Sequence, residues 1–311
     1  MFTYSAYNLC IRSEIFFPEL ITFQENSNLT EQLPQVIIEQ REISRSEIEN
    51  VDSGNRFFGR LETDELLFAK FLVEFGRKIV IEPAPGIADD IIRPGILGPI
   101  FSLMLRQRGL LAIHASCVDI NGEAVAFIGN SGWGKSTLAN AFYNQEYPLL
   151  TDDVMAIQVN EGSESHPITF PAYPSVKLLP DAAASLGYDF DELAVINSGL
   201  LKRNNHLAEK FAQKPLPVKR IYALEKIAAP RHEVQGLSSQ DALVELVRHS
   251  RVTNLLTTQE FVGAHLHQCT QLIKKVPVYR LRRHKGLAAI PDLIKLIEDD
   301  VAKSTRVLSY T

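Results

Sequence analysis

The chain has little of what marks several large functional classes. Its three cysteines, Cys10, Cys117 and Cys269, lie far apart. With no CxxC pair they make neither a zinc cluster nor a redox motif, and they fit reduced thiols in a cytoplasm. The eight histidines contain no HExxH pattern. His265 and His267, two apart, would share a face only on a strand, and their neighbours are patterned as a helix, so no structural metal centre is expected there. No apolar run reaches the roughly 18 residues a membrane span needs. The opening MFTYSAYNLCIRSE lacks the basic start and apolar stretch of a secretory signal. We therefore expect a cytoplasmic protein without a membrane partner. Net charge is −5 and no long block of one sign occurs, so no basic field points to nucleic acid.

What is present is enough apolar material, 45% of 311 residues, for one to three domains. The chain is organised around Gly129, Asn130, Ser131, Gly132, Trp133, Gly134, Lys135, Ser136 and Thr137. This stretch fits the phosphate-binding pattern G-x4-G-K-[ST], which arises by accident in on the order of one in a hundred chains of this length. Ala124–Ile128 before it reads as a buried strand and Ser136–Phe142 after it as an amphipathic helix, the context the motif requires. The glycines allow positive φ, so that successive N–H groups approach a phosphate with no side chain between. The helix start adds unpaired N–H groups and a positive dipole end. Lys135 brings a point charge for the β- and γ-phosphates, and the Ser136 hydroxyl is placed for Mg²⁺. A glycine-rich turn capped by serine is the plainer reading of the same residues. The pattern predicts a nucleoside triphosphate site.

Residues 1 to about 60 read as β-rich and irregular, with strands at 35–40 and 57–60. Residues 65–81 read as a hairpin with Gly76 in its turn. Pro94–Gly109 is predicted as one helix with Ile96, Ile100, Leu103 and Met104 on a stripe. A boundary is expected near 85–95, giving a β-rich module over 1–88 and a larger unit over 89–311. Residues 110–120 form the next predicted strand, and Asn121-Gly122 is the strongest short hairpin signal. The strand before the glycine loop should therefore pair antiparallel with the one carrying His114, Ser116 and Asp119.

Tyr147–Val154 reads as a short strand ending in Asp152-Asp153. At such a strand end a carboxylate can hold Mg²⁺ or accept a substrate proton, or one of the pair merely caps a turn. Neighbouring strand residues face opposite ways, so both can serve one site only if the strand has ended. Further on, Asp181 is predicted to cap a helix closed by Gly187. A strand is expected at 220–224, helices at 238–248 and 258–274, a strand at 276–281 and a last helix at 288–301. Lys177, Lys202, Arg203 and Arg248 are basic residues able to contact phosphates or simply to face solvent.

His114-Ala115-Ser116, the Asn-Gly hairpin, the loop GNSGWGKST and the strand ending in Asp152-Asp153 together resemble the catalytic domain of HPr kinase/phosphorylase. The resemblance covers roughly residues 110–155. The Ser13-Glu14 segment, Tyr173–Leu178 and the C-terminal elements look like the divergent HPr-kinase-related proteins, some of which phosphorylate a serine of a lasso-peptide precursor. The chain has no counterpart of the Ile-Arg-Gly-Leu-Gly segment that follows a metal-binding glutamate in HPr kinases, so a second metal ligand is unassigned. The N-terminal module of those enzymes has no recognisable match.

The resemblance implies an α/β fold: a P-loop kinase core of HPr-kinase type, with a mixed sheet and a hairpin before the loop, plus a smaller β-rich N-terminal module. It implies ATP and Mg²⁺ as cofactors, with Ser136 and Asp152 as metal ligands. Asp153 would be the base, Asp152 a metal or orienting group, and His114 a hydrogen-bond partner of the base. The implied partner is a peptide or small protein carrying a serine, and a homo-oligomer is compatible with it; the β-rich N-terminal module, which has no motif of its own, reads as a docking surface for that partner. A nucleotide-binding regulatory module and a simple NTPase are the alternatives. Lys135 is expected to face solvent.

Overall fold

The computed structural model describes residues 1–23, 33–52, 54–160, 165–197, 199–227, 231–251, 259–284 and 286–308. The chain begins with β1 (Phe2–Ala6), β2 (Leu9–Ser13), β3 (Ile21–Thr22), β4 (Gln35–Gln40), α1 (Arg45–Glu49), β5 (Arg56–Glu62), β6 (Leu67–Glu74) and β7 (Lys78–Pro83). Among the described residues these strands make one seven-stranded sheet, ordered β3-β1-β2-β4-β7-β6-β5. Two of its hairpins close on residue pairs with positive φ, Tyr7-Asn8 (55° and 59°) and Phe75-Gly76 (53° and 62°). Turns of that hand match the twist of the flanking strands. The turn at Gly76 is the one the sequence predicts.

The next helical stretch starts earlier than Pro94. It runs as α2 (Asp89–Gly95), a π-helical segment Ile96–Ile100, and α3 (Phe101–Gln107). Asp89 and Asp90 occupy the first turn, where carboxylates favour a helix start. Pro94 and Pro99 are both internal. Each removes a ladder N–H, and the wider π turn accommodates the loss.

Then follow β8 (Leu111–Ile113), β9 (Ala115–Ile120), β10 (Glu123–Ile128), α4 (Lys135–Tyr143), β11 (Leu149–Asp152), β12 (Met155–Gln158), β13 (Ile168–Thr169), β14 (Ser175–Leu178) and α5 (Pro180–Ser185). The chain continues with β15 (Ala194–Val195), β16 (Arg203–His206), β17 (Leu216–Ile227), β18 (Glu233–Gly236), α6 (Ser239–His249), α7 (Gln259–Lys275), β19 (Val278–His284) and α8 (Ile290–Leu308). Leu179, not Asp181, caps α5. Pro180 takes the first helical position and Asp181 sits one residue inside, an arrangement proline's fixed φ favours. Gly187 follows at φ 84°. Thr258, the predicted start of α7, lies outside the described residues.

The second part is a mixed α/β unit. β10 pairs antiparallel with β9 across Asn121-Gly122 (φ 57° and 83°) and parallel with β17, which is in turn parallel to β19. β8 and β9 are one stretch bent at His114, and β11 and β12 one stretch bent at Asp153. β9 pairs with β11 on one side of the bends and β8 with β12 on the other. His114 and Asp153 therefore meet at a seam in the sheet. β14, β16 and β15 form a small separate sheet.

One apolar core runs through Tyr4, Ile38 and Phe71 of the first sheet to Ile96 and Phe101, and on to Val154, Ala156 and Tyr173. A second, with Phe127, Phe142, Leu293 and Ile297, lies under α4 and α8. All three cysteines are free and buried. No described helix is long and apolar enough to cross a membrane.

Candidate functional site

The glycine loop joins β10 to α4, and its backbone needs glycine. Gly129, Gly132 and Gly134 have φ of 149°, 75° and 91°, values that L side chains rarely adopt. Gly134 is also crowded: a Cβ there would lie 2.7 Å from Arg283 Nη2. The loop is braced from outside. Arg283 Nε donates to the Trp133 carbonyl at 2.8 Å, and Lys226 Nζ donates to the carbonyl of Gly132. Trp133 itself packs on the core under α4, while Asn130 and Ser131 are exposed.

Lys135 does not face solvent as expected. It is 6% exposed, and its Nζ donates to the carbonyls of Gly129 at 2.8 Å and Asn130 at 3.3 Å. The curled loop presents carbonyls inward, and the ammonium is the nearest group able to satisfy them. Burial pushes the Lys135 pKa down to about 8; Asp152 opposes this, while Lys202 and Arg251 add to it.

The second half of the site is the bend at Asp153. The strand ends where the sequence requires it to: Asp152 closes β11, and Asp153 takes φ 97°. The left-handed step lets two adjacent carboxylates reach the same cavity. Asp152 is buried, its Oδ1 accepting from Ser116 Oγ at 2.5 Å and its Oδ2 from the Lys177 amide at 3.2 Å. Asp153 instead faces two cations and an imidazole. Lys177 Nζ lies 2.9 Å from its Oδ2, Arg251 Nη2 pairs with its Oδ1, and His114 Nε2 is 3.6 Å from that same oxygen. That histidine contact is too long for a hydrogen bond. Burial, with Arg251 and Lys135 nearby, pushes the His114 pKa down to about 2. The imidazole at the seam is therefore neutral, and it lends Asp153 no charge.

The bend is fixed from the first sheet. Tyr7 sends its hydroxyl to the Val154 carbonyl at 3.2 Å, and its own amide donates to the Pro171 carbonyl at 2.8 Å. Thr151 Oγ1 holds the same Val154 carbonyl at 2.6 Å. The left-handed Tyr7 backbone, unusual for a bulky residue, aims that ring across the shared core.

Between loop and bend lies a cavity of about 410 Å³ lined by Ser131, Lys135, Ser136, Thr137, Asp152, Asp153 and His114, among others. Six Lys and Arg side chains face three carboxylates there: Lys135, Lys177, Lys202, Lys226, Arg251 and Arg283 against Asp152, Asp153 and Asp181. In a chain of net charge −5, that local excess suits a polyanion. Of the four basic residues flagged in the sequence, Lys177 and Lys202 line this cavity. Arg203 instead pairs with Asp191, and Arg248 with Glu245. Sequence reasoning missed Arg251, Lys226, Arg283 and Tyr7. Each is a lone residue in an ordinary segment, brought to the site by strand pairing or long-range packing. Among the described residues no three His, Cys, Asp or Glu side chains form a metal-binding group.

No protein-family model matches the chain, and no curated protein matches it. Among solved structures, the Hpr(Ser) kinase/phosphatase from Coxiella burnetii is similar at 14% identity and a TM-score of 0.33, over 64% of this chain and 99% of that one. At that level it adds no weight to a function, which rests on the site itself.

Proposed function

We propose that the chain is an ATP-dependent serine kinase related to the HPr kinases, moving a γ-phosphate to a serine of a peptide or small protein, with a lasso-peptide precursor among the candidates. The observation that supports this most is the bend at Asp153, which turns two adjacent carboxylates into the cavity that the glycine loop enters with Lys135 and Ser136. The loop fits a triphosphate: its glycines leave backbone amides uncovered, and Gly134 leaves no room for a Cβ. The donor set fits Mg²⁺, since Ser136 and Asp152 offer oxygen only, and Asp152 keeps lone pairs beyond those used by Ser116 and the Lys177 amide. When bound, Mg²⁺ would neutralise charge on the phosphates.

In this reading Lys135 leaves the loop carbonyls for the β- and γ-phosphates. Lys177 moves off Asp153 toward the transferring group, which frees Oδ2. Asp153 then takes the serine proton as the serine oxygen bonds to the γ-phosphorus and the β–γ bridge breaks, leaving ADP. Tyr7 and Thr151 hold the bend in place through the Val154 carbonyl, and neutral His114 lines the cavity beside it. We assign residues 1–88 to acceptor docking, with β5 as the open edge on which an extended peptide adds a strand, and residues 89–311 to chemistry. The shared core means that the first part cannot be cut away cleanly, so point changes along β5 test docking better than a deletion.

One observation favours a second reading. Both Asp153 oxygens are engaged by Arg251 and Lys177, which suits a nucleotide-binding module or an NTPase with no acceptor. Incubation with γ-labelled ATP and a serine-containing peptide separates the readings. Label on the peptide supports the kinase, label released as phosphate the NTPase, and unmoved label the binding module.

A further inference from the structure

A second cavity, of about 470 Å³, shares no lining residue with the candidate site. It lies between α3, α7 and the β5 end of the first sheet, with Phe57, Leu103, Val159, Phe261 and Ala264 as apolar walls. Its size falls within the roughly 300–1,000 Å³ of small-molecule sites. Among its described lining residues Arg106 is the sole Lys or Arg, and no Asp or Glu is present.

Among the described residues Arg106 has no carboxylate partner. Its contact is with His265, whose Nδ1 lies 3.5 Å from Nη1. Facing an Arg donor, that nitrogen must be the acceptor, so the ring's proton is on Nε2, the atom 3.8 Å from Cys269 Sγ. Burial and the nearby Arg106 push the His265 pKa down to about 4, so the imidazole is neutral and compensates nothing. Two of the lining amides are already engaged. Gln107 binds the Gly76 amide and the Val73 carbonyl, and Gln268 the Gly109 carbonyl. A guanidinium carries five donors in a planar fork that matches a carboxylate, and Arg106 is half-buried, so its charge gains from a partner.

We propose that this cavity binds a small amphipathic monocarboxylate, an aliphatic or aromatic acid whose head pairs with Arg106 and whose body fills the apolar walls. One fixed positive charge among neutral groups matches a singly charged head better than a phosphate dianion. Gly263 lies at the cavity wall on α7, and a Cβ there would meet nothing within 4 Å. A larger side chain at that position fills the space without disturbing the fold. The inference is independent of the kinase reading, since it uses none of that site's residues.

Calorimetric titration of the full chain with sodium decanoate, and with decanol as the uncharged probe of the same length, tests it. Wild type should bind one decanoate, and decanol more weakly. Arg106→Met should weaken decanoate by roughly 10- to 100-fold, the worth of a charge-assisted pair, while leaving decanol nearly unchanged. Gly263→Leu should lose both ligands while keeping or raising the melting temperature. No saturable decanoate binding overturns the proposal. So does equal binding by Arg106→Met, or a Gly263→Leu protein that binds as wild type.

Discussion

The glycine loop and the Asp153 bend face the same cavity, yet they are built in opposite ways. The loop is local: its conformation follows from three glycines within six residues, and its lysine satisfies carbonyls five and six residues back. The bend is assembled at long range. Asp153 is held by Lys177 and Arg251, Val154 by Tyr7 from the first sheet, and Asp152 by Ser116 from a neighbouring strand. Charge differs too. Lys135 spends its charge on backbone carbonyls, whereas Asp153 is neutralised by side chains from two distant segments. A local device survives changes elsewhere in the chain. An assembled one reports on the packing of the whole molecule, so the two should respond differently to substitution.

The sharpest break of that contrast is Lys135→Ala. Nucleotide turnover should fall below detection and the thermal shift with Mg-ATP should shrink. Because Lys135 is buried against the loop carbonyls, its loss should also cost about 1 kcal/mol of stability, read from denaturant unfolding. A variant that turns over ATP normally removes the loop from the site. Next in size is Asp152→Asn, which keeps the shape but weakens a metal ligand. The Mg²⁺ concentration for half-maximal activity should rise roughly 10-fold or more, in the range seen for perturbed metal sites, and an unchanged Mg²⁺ dependence excludes Asp152 as a ligand.

Tyr7→Phe sharpens the comparison from the other side, since it deletes one hydroxyl in the first sheet. We expect a stability loss of about 1 kcal/mol and a several-fold lower kcat, with the Kd for nucleotide unchanged. Equal loss of affinity and rate would mean that Tyr7 supports the fold generally and not the bend. The smallest effect is one of pH. A phosphate ligand favours charged Lys135, whose pKa in the free protein lies near 8. Nucleotide affinity should therefore hold below pH 8 and fall as pH rises through it, by about tenfold from pH 7 to 9, with proton uptake on binding above pH 8. Stability runs the other way: the unfolded chain holds the Lys135 proton up to its ordinary pKa, so folding gains from this group between about 8 and 10.5.

How much of this was legible follows the same division. The loop, the Asn121-Gly122 hairpin and the strand ending at Asp152 are short-range patterns, and spacing alone places them. That both aspartates could serve one cavity was conditional on the strand ending, and the positive φ of Asp153 meets that condition. Arg251 gave no local signal, because what brings it to Asp153 is the pairing of the segment after α6 with the strand at His114. Lys226 and Arg283 stand on strands that look like any partly exposed pair. The buried pose of Lys135 depends on which carbonyls the loop turns inward, which residue type does not encode. The early start of α2 was hidden by Pro94, which reads as a first helical residue but stands inside the helix.

The measurement closest to the central claim compares wild type with Asp153→Asn, using γ-labelled ATP, an accepted serine peptide and a parallel determination of Mg-ATP affinity. The asparagine keeps the size of the side chain and gives up the ability to take a proton at neutral pH. The account predicts unchanged affinity within a few-fold and a transfer rate lower by roughly 10²–10⁴-fold. Transfer at the wild-type rate by Asp153→Asn would contradict it.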